Sequence, residues 1–235
     1  MAQAGIHGLA GTAVRRWAPT KPLLMLGIVL GNLFPDLDNF AVAVATITGG
    51  TTDGLHRTFT HSFFTVLGLW LLFLIVGTIS KQDKWRYFGI GFAIGIIMHI
   101  FLDIFVWFGH VQIFWPLAYD LNIWAQITPP TWWMQLMMPA EFFCFALFFW
   151  VLATMAQNQE TNLASLRMVK IWTAVQTVLF ILFTILVYTM EKGFMTIYGA
   201  TYLFSLVLAW IIVIKLRQTI EWREPKAKQK LQIQD

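Results

Sequence analysis

"FMTIYGATYLFSLVLAWIIVI" (residues 194–214) runs from end to end without a charged side chain. At ~1.5 Å rise per residue such a helix is about 30 Å long, the thickness of a bilayer's hydrocarbon core. "IWTAVQTVLFILFTILVYTM" (171–190) and "FFTVLGLWLLFLIVGTIS" (63–80) repeat the pattern. The chain of 235 residues is 58% hydrophobic and 12% charged, where soluble domains carry roughly 25% charge. These runs predict an all-α, multi-pass integral membrane helical bundle. A β-barrel would need alternating ~10-residue segments separated by turns, and there are none.

Working outward, five full spans are predicted over 62–80, 87–109, 139–156, 169–190 and 194–214. Before them, "AQAGIHGLAGTA" (2–13) and "LLMLGIVLGNLF" (23–34), separated by Arg15, Arg16, Pro19, Lys21 and Pro22, form a short N-terminal helical hairpin. "PDLDN" (35–39) stops its second arm, and "AVAVATITGGTTDG" (41–54) reads as a small-residue loop. Three parts follow: residues 1–138 carry the polar chemistry, 139–218 hold three further spans, and 219–235 form a basic tail. Cys144 is the single cysteine, so no intrachain disulfide is possible. The net charge of +4 is spread over short loops and the tail, which fits a membrane surface and excludes a nucleic-acid partner.

No lysine or arginine occurs from Tyr87 to Leu166, whereas "KQDKWR" (81–86), Arg167, Lys170 and the tail are basic. The positive-inside rule therefore puts the 81–86 loop, the 157–168 loop and the C-terminus in the cytoplasm. The tryptophan-rich segment 109–133 falls outside, its tryptophans suited to an interfacial belt.

All five histidines lie within the first 110 residues. In "HIFLD" (99–103), His99 and Asp103 stand at i and i+4 on one helix face. They lie ~18 and ~24 Å from Tyr87, in the outer half of the bilayer, where an ionisable residue is costly and marks function. His110 shares that face only if the helix passes Gly109. Asp36, Asp38, His7 and "HRTFTHS" (56–62) reach the same face under this topology. Thr60 or Ser62 can cap the following helix, which leaves His56, Arg57 and His61 unexplained. Imidazole and carboxylate without thiolate suit a divalent metal, zinc first and manganese second. Arg57 is a fork for phosphate, and Glu141 opens a span at the same face.

These motifs, with Trp115-Pro116, resemble the YdjM-like family of bacterial and archaeal inner-membrane proteins, described as membrane-bound metal-dependent hydrolases. The resemblance covers roughly residues 1–116. It implies that His7, Asp36, Asp38, His56, Arg57, Thr60, His61, His99 and Asp103 are the functional positions. Thr58 stands where the family often has glycine, and Asn39 where a histidine often follows. A looser similarity runs to zinc-dependent phospholipase C and the S1/P1 nucleases, and implies phosphoester hydrolysis, although their closing H-x-x-x-D/E pair is missing.

The expected function is a metal-dependent hydrolase at the extracytoplasmic face of the inner membrane, cutting a phosphoester in a lipid or amphipathic substrate. His7, Asp36, Asp38, His61, His99 and Asp103 would hold the metal, which activates a water. Arg57 and Thr60 would bind substrate, and His56 or Glu141 would move the proton. The alternative is a non-catalytic assembly protein with a structural metal. A metal or proton carrier fits less well, because the spans 171–190 and 194–214 carry no ionisable acid or base of the kind a relay needs.

Overall fold

The computed structural model describes residues 4–221. Among these the regular elements are helices, α1 (Ala4–Ala13), α2 (Leu24–Leu33), α3 (Asn39–Thr48), α4 (Phe63–Ile79), α5 (Asp83–Val106), α6 (Thr131–Asn158), α7 (Leu163–Thr189), α8 (Phe194–Lys215) and α9 (Arg217–Glu221), with a non-helical segment over 107–130. Short 3-10 turns at Pro35–Asp38 and Phe59–His61 carry two of the polar motifs. Most of the basic tail, residues 222–235, lies outside the described residues.

Five segments are long and apolar enough to cross a membrane, and together they make this a multi-pass integral membrane protein. They differ from the expected five in one member. Leu24–Thr48 enters as a run of 25 residues broken at Pro35, whereas α4, at 17 residues, is shorter than the rest. The hairpin is present as α1 and α2. The expected loop after "PDLDN" is instead α3, because its alanines are strong helix formers. Gly49, at φ 70, ends it by donating its N–H to the Ala45 carbonyl.

Every residue of α2 is buried, so this short helix is the axle of the bundle. Lipid tails are as apolar as leucine, so membrane helices are held together by close van der Waals packing rather than by escape from water. Small residues permit that approach. Gly27 and Gly31 of α2 lie against the Phe88 and Phe92 carbonyls of α5, and Gly91 and Gly95 of α5 lie against the Leu24 and Ile28 carbonyls of α2. Each helix thus presents a G-x-x-x-G face to the other's backbone. On the other side, α1 seats Gly5 on the backbone at Cys144–Phe145 of α6 and Gly8 on the Phe148 ring. A layer of Phe142, Phe145, Phe183, Tyr198 and Tyr202 joins α6, α7 and α8. Only Val169, Gln176 and Phe183 of α7 are fully buried; Trp172, Leu179 and Phe180 pack partly against the core, and Ile171, Val178, Ile181 and Ile185 are exposed.

The basic elements share one end. Pro22, Leu23, Lys84, Trp85 and Arg217 line a single cavity there, and Glu221 of α9 accepts the Leu26 N–H at 2.6 Å to cap the start of α2. α5 climbs from that end, so His99 and Asp103 sit roughly 24 and 30 Å above Asp83. α5 stops at Val106, three residues short of Gly109, and His110 lies beyond the helix with its side chain exposed.

Candidate metal centre

The far end of α5 supplies the first two groups. His99 is fully buried and its Nδ1 donates to the Asn32 carbonyl at the end of α2, at 2.7 Å. A carbonyl only accepts, so the proton is on Nδ1 and Nε2 carries a bare lone pair. The close α2–α5 crossing makes that bond possible, since it brings the two backbones into contact just below. His7 of α1 stacks on His99, with ring centroids 3.6 Å apart and planes 18° from parallel. Its Nε2 lies 3.2 Å from Asp103 Oδ1.

The "HRTFTHS" segment forms the opposite wall, and Asp38 organises it. Asp38 Oδ1 takes His56 Nδ1 at 2.7 Å. Its Oδ2 accepts from the Arg57 backbone N–H (3.1 Å) and from Thr60 Oγ1 (2.8 Å). His61 Nδ1 faces Thr60 Oγ1 at 3.0 Å and Asp38 Oδ2 at 3.4 Å. Both contacts leave His61 Nε2 as the free nitrogen, and it points at His99 Nε2 across 3.2 Å. The Trp-rich segment closes over this wall. Gln112 N–H donates to the Arg57 carbonyl, Phe63 N–H to the Ile113 carbonyl, and Ser62 Oγ to the Trp115 carbonyl. Ser62 also caps α4 through the Phe64 N–H.

Arg57 is held at φ 61, a left-handed conformation that is costly for a residue with a Cβ. Its backbone is fixed on both sides, by Asp38 and by Gln112. The strained turn aims the guanidinium inward: it is 6% exposed, and its Nε lies 3.0 Å from Asp103 Oδ2. Its Nη2 is buried without a hydrogen-bond partner.

The unsatisfied atoms match a site that could hold a cation. His7 Nε2, Asp103 Oδ1 and Asp103 Oδ2 are buried and within contact range of one another's partners, yet none makes a hydrogen bond of acceptable geometry. His7, His99 and Asp103 each bring a ligand atom within 4.8 Å of the others, and His61 Nε2 faces the same group. The facing Nε2 atoms of His61 and His99, 3.2 Å apart, share either a proton or a metal ion. Ligand atoms around a tetrahedral zinc lie roughly 3.3 Å apart, given metal–ligand bonds of ~2.0–2.1 Å. The spacings of 3.2 Å for both His61–His99 and His7–Asp103 fit that edge. Each of His61 and His99 also commits its other nitrogen to oxygen partners, the arrangement that orients metal-binding histidines.

Electrostatics agree. Burial pulls the His61 imidazole down, but the adjacent Asp103 and Asp38 carboxylates, each 3.4 Å away, outweigh it and raise its pKa above the ordinary value. Without a metal, a proton on His61 is the cation between the two nitrogens. For His56 burial wins over Asp38 and the pKa is lowered; its side chain is 23% exposed, the most open of the site histidines.

Comparison with protein families gives a match here: the family described as "YdjM inner membrane protein" covers residues 2–219. The chain belongs to the YdjM inner membrane protein family. That match runs well beyond residue 116, where the legible motifs end. No curated protein and no solved structure matched, and the likeness to phospholipase C and the S1/P1 nucleases gains no support.

Of the expected site residues, His7, Arg57, His61, His99 and Asp103 converge. Asp38, His56 and Thr60 form the ring behind them, with Asp38 spending its oxygens on hydrogen bonds. Asp36 is buried to one side, its Oδ2 without a partner. Glu141 accepts the Ala4 and Gly5 N–H groups at 3.2 and 3.3 Å, so it completes the first turn of α1 and thereby holds His7 in place. The motifs missed Asn32, whose contribution is a backbone carbonyl, and Tyr202 of α8, whose buried hydroxyl lacks a partner.

Proposed function

We propose that this protein is a metal-dependent hydrolase of the extracytoplasmic membrane face, acting on a phosphoester in a lipid or amphipathic substrate. The observation that carries the reading is the convergence of His7, His99 and Asp103, close enough to share one ion and faced by His61 Nε2, with His7 Nε2 and both Asp103 oxygens unsatisfied beside an arginine with a spare donor. A divalent ion held there, zinc before manganese, would supply Lewis acidity and a lowered pKa for a water molecule. Arg57 Nη2 is the group available to an anionic oxygen, and its Nε fixes Asp103. His56, anchored by Asp38 through Nδ1 and with a buried, unpartnered Nε2, is the group left to move a proton within the site. Depth supports a lipid substrate: a site near the outer boundary receives a headgroup without lifting acyl chains from the bilayer. The clustering of the basic turns at the opposite end supports a cytoplasmic C-terminus.

One observation favours a second reading, a structural metal site. His7, His61 and His99 are fully buried, and a closed shell is the mark of a structural site. A screen of metal-loaded protein against phosphomonoesters, phosphodiesters and phospholipids separates the two. Turnover that Arg57→Lys lowers by one to three orders of magnitude at unchanged metal content supports the hydrolase, because lysine cannot reproduce a guanidinium fork. Metal uptake with no turnover on any class supports the scaffold.

A further inference from the structure

A cavity of about 400 Å³ opens at the basic end of the bundle. Its walls are Pro22 and Leu23 before α2, Lys84 and Trp85 at the start of α5, and Arg217 and Glu221 of α9. A second pocket, lined by Thr20, Lys21, Pro22 and Glu221, adjoins it and shares two of those residues. Three separate parts of the chain thus bring Lys21, Lys84 and Arg217 around one space, whose size falls within the roughly 300–1,000 Å³ of small-molecule sites. The three cations are exposed, whereas Leu23 and Trp85 are half-buried and pack against the core. Among the described residues none of the three forms an ion pair, and the neighbouring acid, Asp83, is taken by Arg86 at 3.1 Å. Glu221 is the only carboxylate among the lining residues, and its Oε1 accepts the Leu26 N–H at 2.6 Å. The lining is net positive.

The surroundings belong to a membrane surface. Lys84 Nζ lies 5.6 Å from the centroid of the Trp85 ring and Lys21 Nζ 5.1 Å from that of Tyr87. At the foot of α1, the Arg16 guanidinium sits 3.8 Å over Trp17, which is 66% exposed. Tryptophan, tyrosine and cations mixed in this way mark the headgroup layer. A free phosphate would use the cations but not the apolar wall. A phospholipid uses both: its phosphate meets the cations, and its glycerol and first methylenes lie on Leu23 and Trp85. Basic pockets between membrane helices are known sites for anionic headgroups. We propose that this cavity binds the headgroup of an anionic phospholipid, drawn from the leaflet at the basic end of the bundle. This contact lies at the opposite end of α5 from the metal centre and does not depend on the hydrolase reading.

The test is native mass spectrometry of the delipidated full chain in detergent. It is titrated with phosphatidylglycerol, phosphatidylethanolamine and phosphatidylcholine of the same acyl chains, and with glycerol 3-phosphate. Phosphatidylglycerol should bind roughly tenfold more tightly than either zwitterionic lipid or the soluble phosphate, and the gap should narrow as salt rises. Lys84→Gln and Arg217→Gln should each lower its affinity roughly fivefold, the worth of one basic side chain near an anionic leaflet. Lys84→Arg should keep it. A second double variant, Arg167→Gln with Lys170→Gln, removes the same charge at the start of α7, outside this cavity, and should leave the affinity nearly unchanged. Phosphatidylglycerol should also raise the melting midpoint of the wild type more than that of the Lys84/Arg217 double variant, because it binds the folded protein. Equal losses in the two double variants would reduce the effect to diffuse surface attraction and overturn the proposal. Equal binding of a zwitterionic lipid would overturn it too, and glycerol 3-phosphate binding as tightly as the lipid would make the ligand a soluble phosphate instead. A wild-type protein that takes up no zinc sinks the hydrolase reading and leaves this site standing, whereas full zinc content with no lipid preference sinks this proposal alone.

Discussion

Gly95→Ala should weaken metal binding although Gly95 touches no ligand. A Cβ there meets the Ile28 carbonyl oxygen, the Asn32 nitrogen at 2.7 Å and the Gly31 carbonyl carbon at 2.8 Å. These are backbone atoms, so relief comes only from moving α5 away from α2. Ordinary contact begins at 3.4 Å, so clearing the Asn32 nitrogen alone requires a separation of roughly 0.7 Å, and the nearer Ile28 oxygen requires more. His99 is one turn further along α5, and its Nδ1 reaches the Asn32 carbonyl at 2.7 Å. The same displacement stretches that bond to roughly 3.4 Å, where little of its strength remains. His99 then loses the partner that fixes its tautomer and ring orientation, which commonly costs 10- to 100-fold in metal affinity. Overpacking should also cost about 1–3 kcal/mol of stability. The assay is zinc affinity by chelator competition in detergent, with thermal unfolding alongside. Gly68→Ala is the control, since a Cβ there meets nothing within 4 Å. If Gly95→Ala bound zinc and melted like Gly68→Ala, the coupling between crossing and site would be refuted.

Glu141→Ala should destabilise the protein by about 1–3 kcal/mol, because two buried N–H groups of α1 lose their acceptor. Glu141→Gln keeps an acceptor and should melt close to wild type; loss of turnover in it would assign Glu141 a proton-transfer role as well. Metal affinity should rise with pH through the upper histidine range. His61 holds its proton to a higher pH than usual, and the metal must displace that proton; an affinity that falls as pH rises would contradict the assignment. Cysteines placed at 81–86 and 110–138 in a Cys144→Ser background report orientation. An impermeant thiol reagent applied to intact cells should label the second set only, and the reverse pattern would invert the topology.

The spans were legible because lipid imposes a length and forbids charge, and Phe194 begins its helix where the uncharged run begins. What composition does not carry is which apolar face meets lipid and which meets protein. α2 therefore read as one arm of a hairpin rather than the buried axle, and α3 as a loop. The ligand types were legible too, since an imidazole or carboxylate within a span is expensive and needs a reason. Their division of labour was not. Asp38 and Asp36 are the same residue two positions apart, yet one organises His56, Thr60 and His61 while the other is left unpaired. That difference arises from a 3-10 turn meeting a segment about twenty residues later. Glu141 reached its partners at Ala4 and Gly5 across most of the chain, which local pattern does not encode. Tyr202 sits in an uncharged run where a tyrosine reads as packing.

Metal analysis of the protein purified in detergent without chelator, beside His99→Ala and His61→Ala prepared identically, puts the buried centre to its most direct test. The wild type should carry a stoichiometric divalent ion, zinc foremost. His99→Ala should lose it while still inserting and folding, and His61→Ala should lose most of it. Wild-type protein that stays metal-free after incubation with zinc or manganese, or variants that keep the wild-type content, would contradict the assignment of these residues to a metal site.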